Sequence, residues 1–405
     1  MNYPLSGLKV LDFSRVLAGP YASRLLSDLG ADVIKVEPPE GDVTRHFGHK
    51  VGEQSGFYVQ QNVGKRNICI DLRADGAREL IHKLVEKADV VLENFRPGVM
   101  DKYGIGWDDL HKINPKLVMV SISGFGQEGP ERTRAAYAPI LHAEMGIIER
   151  QSSFNETPPA DLSLSLADTY SSLHGLVGMF AALRHAEQTG EGQHVDIAMI
   201  NVVHSIDDYA HYALDGVWPK AEESLVWEAP EGQQILISGE MRWLWKVFST
   251  RGGLKDPTPP GADLDTKIKC RFEAVRDYIK SFESFDALCA TLDEVNLAWG
   301  RVRQFGEDSF AQPSVTPRGV IVEVDNRQGG TRKTVQSPYK VSHTKSGIEK
   351  GAKAPHRGEH NADALGDWLG ISSDQVAALA QTGVLLKEDD SENDGAVGDT
   401  AKAAG

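Results

Sequence analysis

The residue with the most chemistry to offer is Asp168, which stands early in the run Ala160–Ile200. It follows the small and apolar stretch Leu162–Ala167 and precedes a strongly helical segment. That segment carries Leu173, Val177, Phe180 and Ala181 at helical spacing, with Gly175 and Gly178 on a face open to close approach by another segment. Thr189-Gly190-Glu191-Gly192 is a stop signal, and His194–Met199 reads as a strand. A carboxylate just ahead of a long helix is held ionised by the helix dipole. Three roles are open to it: nucleophile, N-cap or general base, with capping the commonest for an aspartate so placed. As a nucleophile it needs no activating base, only a dry pocket and donors for a developing oxyanion. No GxSxG elbow offers a competing nucleophile.

Three cations fall at turns where strands and helices meet. Lys65 sits in Asn62-Val63-Gly64-Lys65-Arg66-Asn67, Arg96 in Glu93-Asn94-Phe95-Arg96-Pro97-Gly98, and Lys102 a helical turn later. Ligands of open α/β sheets bind beyond the carboxyl ends of the strands, and cations there suit phosphate groups. Each taken singly reads first as an ordinary surface charge; three at neighbouring loops put an anionic ligand on equal footing with that reading. The thirteen histidines form no metal signature. HExxH is absent, and His204 and His211 share a helix face without a third ligand, so no metal site is expected. His142 and His174 read as packed core histidines.

Composition narrows the field further. A chain of 405 residues with 40% hydrophobic and 25% charged residues is that of a water-soluble globular protein of two domains. No apolar run reaches the ~18 residues of a membrane span, and Met1-Asn2-Tyr3-Pro4 does not begin a secretory leader. Only three cysteines, Cys69, Cys270 and Cys289, point to a reducing compartment and so to the cytoplasm. The net charge of −15 argues against a nucleic-acid partner. Part of that charge lies in residues 387–405, whose lack of large apolar side chains predicts a disordered acidic tail.

These residues are positioned by an alternation of strand and helix. Strands are expected at Leu8–Phe13, Asp32–Val36, Asn67–Leu72, Val90–Glu93 and Leu117–Ser123, with helices at Gly19–Leu29, Gly76–Lys87 and Trp107–Ile113 between them. That rhythm predicts βαβ units and a mostly parallel, Rossmann-like sheet. The first strand-to-helix turn, Phe13–Pro20, is not GxGxxG, so a dinucleotide is not indicated. From about Ser205 to Phe310 strands are sparse and tryptophans dense, which marks a smaller middle domain. The alternation partly returns after Pro317, with strands at Gly319–Val324 and Thr334–Gln336 and helices at Asn361–Trp368 and Ser372–Thr382. The simplest assembly packs this last segment back on the first domain.

Taken in order, the motifs resemble those of the class III CoA-transferases, the CaiB/BaiF family. The similar stretches are Pro4–Pro20, Leu29–Pro38, Gly64–Ile68, Glu93–Gly98, Ser121–Gly126, Thr189–Gln193 with Val195-Asp196, Gln336–Tyr339, and Ala354-Pro355 with Gly358–His360. The resemblance implies an α/β fold whose Rossmann-like large domain is built from both chain ends, residues 1–205 and 311–386, around a small domain at 206–310. It further implies an interlocked, ring-like homodimer. It makes Asp168 the nucleophile, and it places Val16, Leu17 and Ala18 along the CoA pocket with Lys65, Arg96 and Lys102 near the CoA phosphates. One branch of the family has glutamine where this chain has Leu17; leucine donates no hydrogen bond, so recognition of the acid differs here.

The implied activity is CoA transfer of the formyl-CoA or carnitine type, from an acyl-CoA to a free carboxylic acid through an aspartyl anhydride and an aspartyl-CoA thioester. No tightly bound cofactor is needed, since CoA enters as part of the substrate. Some relatives shield the intermediate with a glycine run; Gly252-Gly253 is the nearest equivalent here. Two alternatives remain. An α-methylacyl-CoA racemase shares the fold but needs a second proton-transfer group, and where racemases carry a histidine this chain has Tyr137, with His142 five residues away. A non-catalytic acyl-CoA-binding protein would be indifferent to loss of the Asp168 charge.

Overall fold

The computed structural model describes residues 2–218 and 225–388. The expected acidic tail lies, from residue 389 on, outside them. The described residues divide into two compact units, one within residues 1–211 and 318–405 and the other within residues 212–317.

The larger unit is built on a seven-stranded sheet. Its strands are β1 (Lys9–Asp12), β2 (Asp32–Glu37), β3 (Arg66–Ile70), β4 (Val90–Glu93), β5 (Val118–Ser123), β6 (His194–Ala198) and β7 (Leu385–Leu386), in the spatial order β7-β3-β2-β1-β4-β5-β6. All neighbours pair in parallel except β7, which runs antiparallel on the β3 edge. The near-continuous apolar runs follow from burial on both faces. Leu11, Ile34, Ile68 and Val91 point into one core with the helices Ala77–Val85, Trp107–Ile113 and Asn361–Leu369. Their neighbours Val10, Val33, Val90 and Val120 point into the other, covered by α1 (Ala18–Asp28), α2 (Ala138–Glu144) and α3 (Leu166–Thr189). The chain's end therefore supplies an edge strand to the sheet that its start begins.

Two features lie outside the strand-and-helix alternation read from the sequence. The segments around residues 320 and 335 do not join the parallel sheet; Ile321–Asp325 and Thr331–Val335 pair with each other as an antiparallel hairpin. Between residues 136 and 160 stand two helices, α2 and Ile147–Asn155, that the residues around Pro139 and Gly146 disguise as loop. In α3, glycine is needed for packing: a Cβ on Gly178 would lie 2.6 Å from a Val195 methyl of β6.

The smaller unit has its own core. Trp227, Ile235, Leu244, Phe248, Val275, Ile279 and Leu288 pack between a three-stranded antiparallel sheet (Val226–Glu228, Gln234–Ile237, Trp299–Arg301) and the helices Met241–Thr250, Leu264–Lys280 and Phe285–Glu294. More of it is sheet than its sequence pattern suggests. Gly252 follows Arg251, the C-cap of the first of these helices, and its carbonyl accepts from the Tyr278 hydroxyl at 2.8 Å.

Candidate active site

At the carboxyl ends of the central strands the larger unit encloses a cavity of about 470 Å³, within the range of small-molecule sites. Val16, Ala18, Arg96 and Asp168 all line it. So do Arg15, Asn94, Phe95, Tyr103, Arg132, Arg134 and Tyr137.

Asp168 does not cap α3. Ser165 holds the N-cap position and Asp168 lies in the first turn, where it lines the cavity. The backbone N–H groups of Ala18 and Ala138 lie close enough to favour its charged form. Each belongs to the first residue of its helix, α1 and α2 respectively. Three helix N-termini thus converge on one carboxylate, an arrangement suited to negative charge. Burial nevertheless wins: it pushes the Asp168 carboxyl up to about 6, against the neighbouring amides. At neutral pH the group is ionised yet poorly solvated, the state a carboxylate nucleophile requires.

The turn that presents Ala18 is held from below. Val16 adopts the left-handed region with φ +69°, a strained choice for a β-branched residue that costs ~1–3 kcal/mol. Its N–H faces the Asp42 carboxylate at 3.3 Å. Asp42 in turn accepts from the buried Lys35 at 3.0 Å, and Lys35 also donates to the Ser14 carbonyl at 2.7 Å. Asp12 accepts from the Ser14 N–H and hydroxyl and from Ser23. From the neighbouring strand, Asn94 grips Arg15 in both directions, accepting its N–H and donating to its carbonyl, both at 2.8 Å. Gly19 is required: a Cβ there would lie 2.1 Å from Cβ of Ser14.

Lys65 is a correction. It does not face the cavity but runs beneath this turn, its side chain fully buried. Its ammonium donates to Asp12 (3.2 Å), the Pro20 carbonyl (3.0 Å) and Asn62 (3.0 Å). With its donors spent and water excluded, it cannot meet a phosphate; burial pushes its pKa down. Leu17, expected on the pocket wall, is buried as the N-cap of α1 and is not among the lining residues. Arg96 stands exposed at the cavity mouth. Lys102 is exposed on the surface nearby, its ammonium 5.8 Å from the ring centre of the lining residue Tyr103.

Sequence reasoning overlooked Arg15, Arg132 and Arg134, since arginines in loops carry no spacing signal. Arg134 is tied to Glu131 and Glu144 and lies over Phe125. The two amides on Asp168 had no signal at all, being backbone. No histidine lines the cavity. His142 is fully buried and turned toward Asp161 and the Ala167 amide, and Tyr137 occupies the cavity wall.

The sequence model of CoA-transferase family III matches residues 5–361. The chain belongs to that family. It is 30% identical to succinyl-CoA–D-citramalate CoA-transferase of Chloroflexus aurantiacus over 94% of this chain and 98% of that one. It is 32% identical to succinate–glutarate CoA-transferase of Agrobacterium fabrum, over 90% and 95%. Among solved structures, a CaiB/BaiF family protein from Brucella suis superposes with a TM-score of 0.76 at 30% identity, covering 91% of this chain and all of that one. Family membership and homologues that are CoA-transferases support an enzyme that uses CoA thioesters and carboxylates. Among the described residues, no helix is long and apolar enough to cross a membrane.

Proposed function

We propose that this class III CoA-transferase moves CoA from an acyl-CoA to a free carboxylic acid with Asp168 as the covalent carrier. The observation that carries the reading is the Asp168 carboxylate itself: it stands in the cavity wall at the head of α3, its pKa pushed up to about 6 by burial, with the amides of Ala18 and Ala138 beside it. An Asp168 oxygen attacks the thioester carbonyl and expels CoA thiolate, leaving a mixed anhydride. The thiolate attacks the aspartyl carbonyl and the donor acid departs with an Asp168 oxygen, leaving aspartyl-CoA. The acceptor carboxylate attacks that carbonyl, expelling thiolate again; the thiolate then takes the acceptor's acyl group and Asp168 is released. No net proton is exchanged, and the N–H groups of Ala18 and Ala138 are placed to hold charge that develops on the aspartyl oxygen.

Arg15, Arg96 and Arg132, with Lys102 outside them, supply the positive field for CoA phosphates. The acids carried by the two homologues named above, citramalate, succinate and glutarate, are dicarboxylic, and a small dicarboxylate is the substrate class proposed here. A homodimer is supported by the apolar side chains that α3 leaves exposed at helical spacing, Tyr170, Leu173, Val177 and Phe180, with Val177 68% exposed. The larger unit is its CoA-binding body, and the unpaired cysteines fit a cytoplasmic setting. Racemisation is disfavoured because the cavity wall has no histidine to serve as the second proton-transfer group.

The test is to incubate the protein with a panel of acyl-CoAs, add hydroxylamine or borohydride, and map modifications by mass spectrometry. A hydroxamate or alcohol at Asp168 with at least one donor is expected. Its absence with every donor, alongside α-proton exchange in a methyl-branched acyl-CoA, would replace the transferase reading with racemisation.

A further inference from the structure

The helix that carries Asp168 begins without a side-chain cap: Ser165, at the N-cap, makes no side-chain hydrogen bond to the turn. The first N–H groups of a helix have no partner within it and must find one elsewhere. Leu166 donates to the Leu164 carbonyl at 2.9 Å and Thr169 closes the first helical bond on Ser165 at 3.0 Å. The N–H of Ala167, next to the reacting residue, donates to Nε2 of His142 at 3.3 Å. Because that nitrogen accepts, the imidazole proton must sit on Nδ1, where Asp161 receives it at 2.8 Å. The ring has no solvent exposure and is not part of the cavity wall.

His142 lies in α2 four residues beyond Ala138, whose own N–H lies near the Asp168 carboxylate and favours its charge. One helix therefore bears on α3 at two adjacent points: its first amide lies near the Asp168 carboxylate, and His142 holds the backbone just before it. We propose that His142 is a positioning residue for the reaction, an acceptor borrowed from α2 in place of the missing cap, which fixes the first turn of α3 so that Asp168 points between the amides of Ala18 and Ala138. Asp161 sets the tautomer that makes the grip possible. If the first turn loses this anchor it can rotate, and displacement of a reacting group by about 1 Å costs up to ~100-fold in rate.

The inference rests on Asp168 being the nucleophile, so the experiment begins with the wild-type protein and an acyl-CoA that gives the Asp168 hydroxamate; failure at that step would sink the nucleophile, not His142. Four variants follow. His142→Gln can place its carbonyl oxygen near the Nε2 position, His142→Asn reaches only toward Nδ1, and His142→Phe keeps volume without an acceptor. Asp161→Ala acts from the surface, where Asp161 is 37% exposed, and so reports even where a His142 variant fails to fold. Expected are losses of ~10- to 100-fold in kcat and in the rate of hydroxamate formation for His142→Asn and His142→Phe. KM for acyl-CoA should stay within about twofold, because the ring does not line the pocket. His142→Gln should recover most of the rate, and Asp161→Ala should lower kcat by about threefold to tenfold by freeing the wrong tautomer. A purely structural histidine predicts a lowered melting temperature with kcat unchanged. That result, or equal rates for His142→Asn and His142→Gln, or an unaltered kcat in Asp161→Ala, overturns the proposal.

Discussion

Replacing Asp168 by asparagine removes a charge while keeping an oxygen that the Ala18 and Ala138 amides can reach. The folded protein holds this carboxyl at about 6 against an ordinary 3.8, because burial outweighs the donors around it. Ionisation is therefore harder in the folded chain than in the unfolded one, and the folded state loses stability as pH rises from about 4 through about 6. At ~1.4 kcal/mol per pKa unit the full effect is about 3 kcal/mol; the side chain keeps part of its hydration, which reduces it to ~1–2 kcal/mol. Asparagine does not titrate, so Asp168→Asn should be more stable than the parent at pH 8 by that amount and nearly equal to it at pH 4. Over a unit of roughly 300 residues this is about 2–3 °C in melting temperature. Paired thermal scans at the two pH values, each buffer containing both proteins, provide the assay. A variant that melts lower than the parent at pH 8, or by the same margin at both pH values, would refute a destabilised, poised carboxylate at this position.

The same carboxyl sets the pH dependence of turnover: kcat/KM should fall about tenfold per pH unit below about 6 and level off above it, as an essential base of that pKa demands. A profile flat to pH 5 would contradict it. Arg96 and Lys65 should separate cleanly. Arg96→Ala removes an exposed cation proposed to meet the CoA phosphates, so KM for acyl-CoA should rise about fivefold to tenfold with kcat nearly constant. Lys65→Ala instead strips a buried partner from Asp12, costing ~3–5 kcal/mol of stability, and shows as a lost or lowered unfolding transition; stable Lys65→Ala with a raised KM would restore the phosphate role.

Lys65 and Asp168 show what the chain's letters disclose and what they hide. The parallel sheet was legible because its strands are buried on both faces and read as short apolar blocks between helices. Asp168 was legible as a carboxylate at the head of a helix, but whether it capped that helix or stood inside it turns on three residues of helix start. Lys65 follows a glycine in a turn, the setting of many phosphate-binding lysines, and only the path of the chain shows that it bends beneath β1 toward Asp12. Ala18 and Ala138 act through backbone N–H groups, which no residue type advertises. The anchor from His142 was equally silent: a histidine in the core looks the same in sequence whether it merely packs or grips a neighbouring helix.

The measurement that bears most directly on Asp168 as covalent carrier is oxygen tracing. In the proposed sequence each turnover delivers one oxygen of the acceptor carboxylate to Asp168 and sends one Asp168 oxygen away with the departing acid. With an acceptor labelled with ¹⁸O in both carboxyl oxygens, the peptide containing Asp168 should gain about 2 Da after one turnover and about 4 Da after many, as balance of atoms requires. Product acyl-CoA accumulating over many turnovers while that peptide keeps its unlabelled mass would contradict the account.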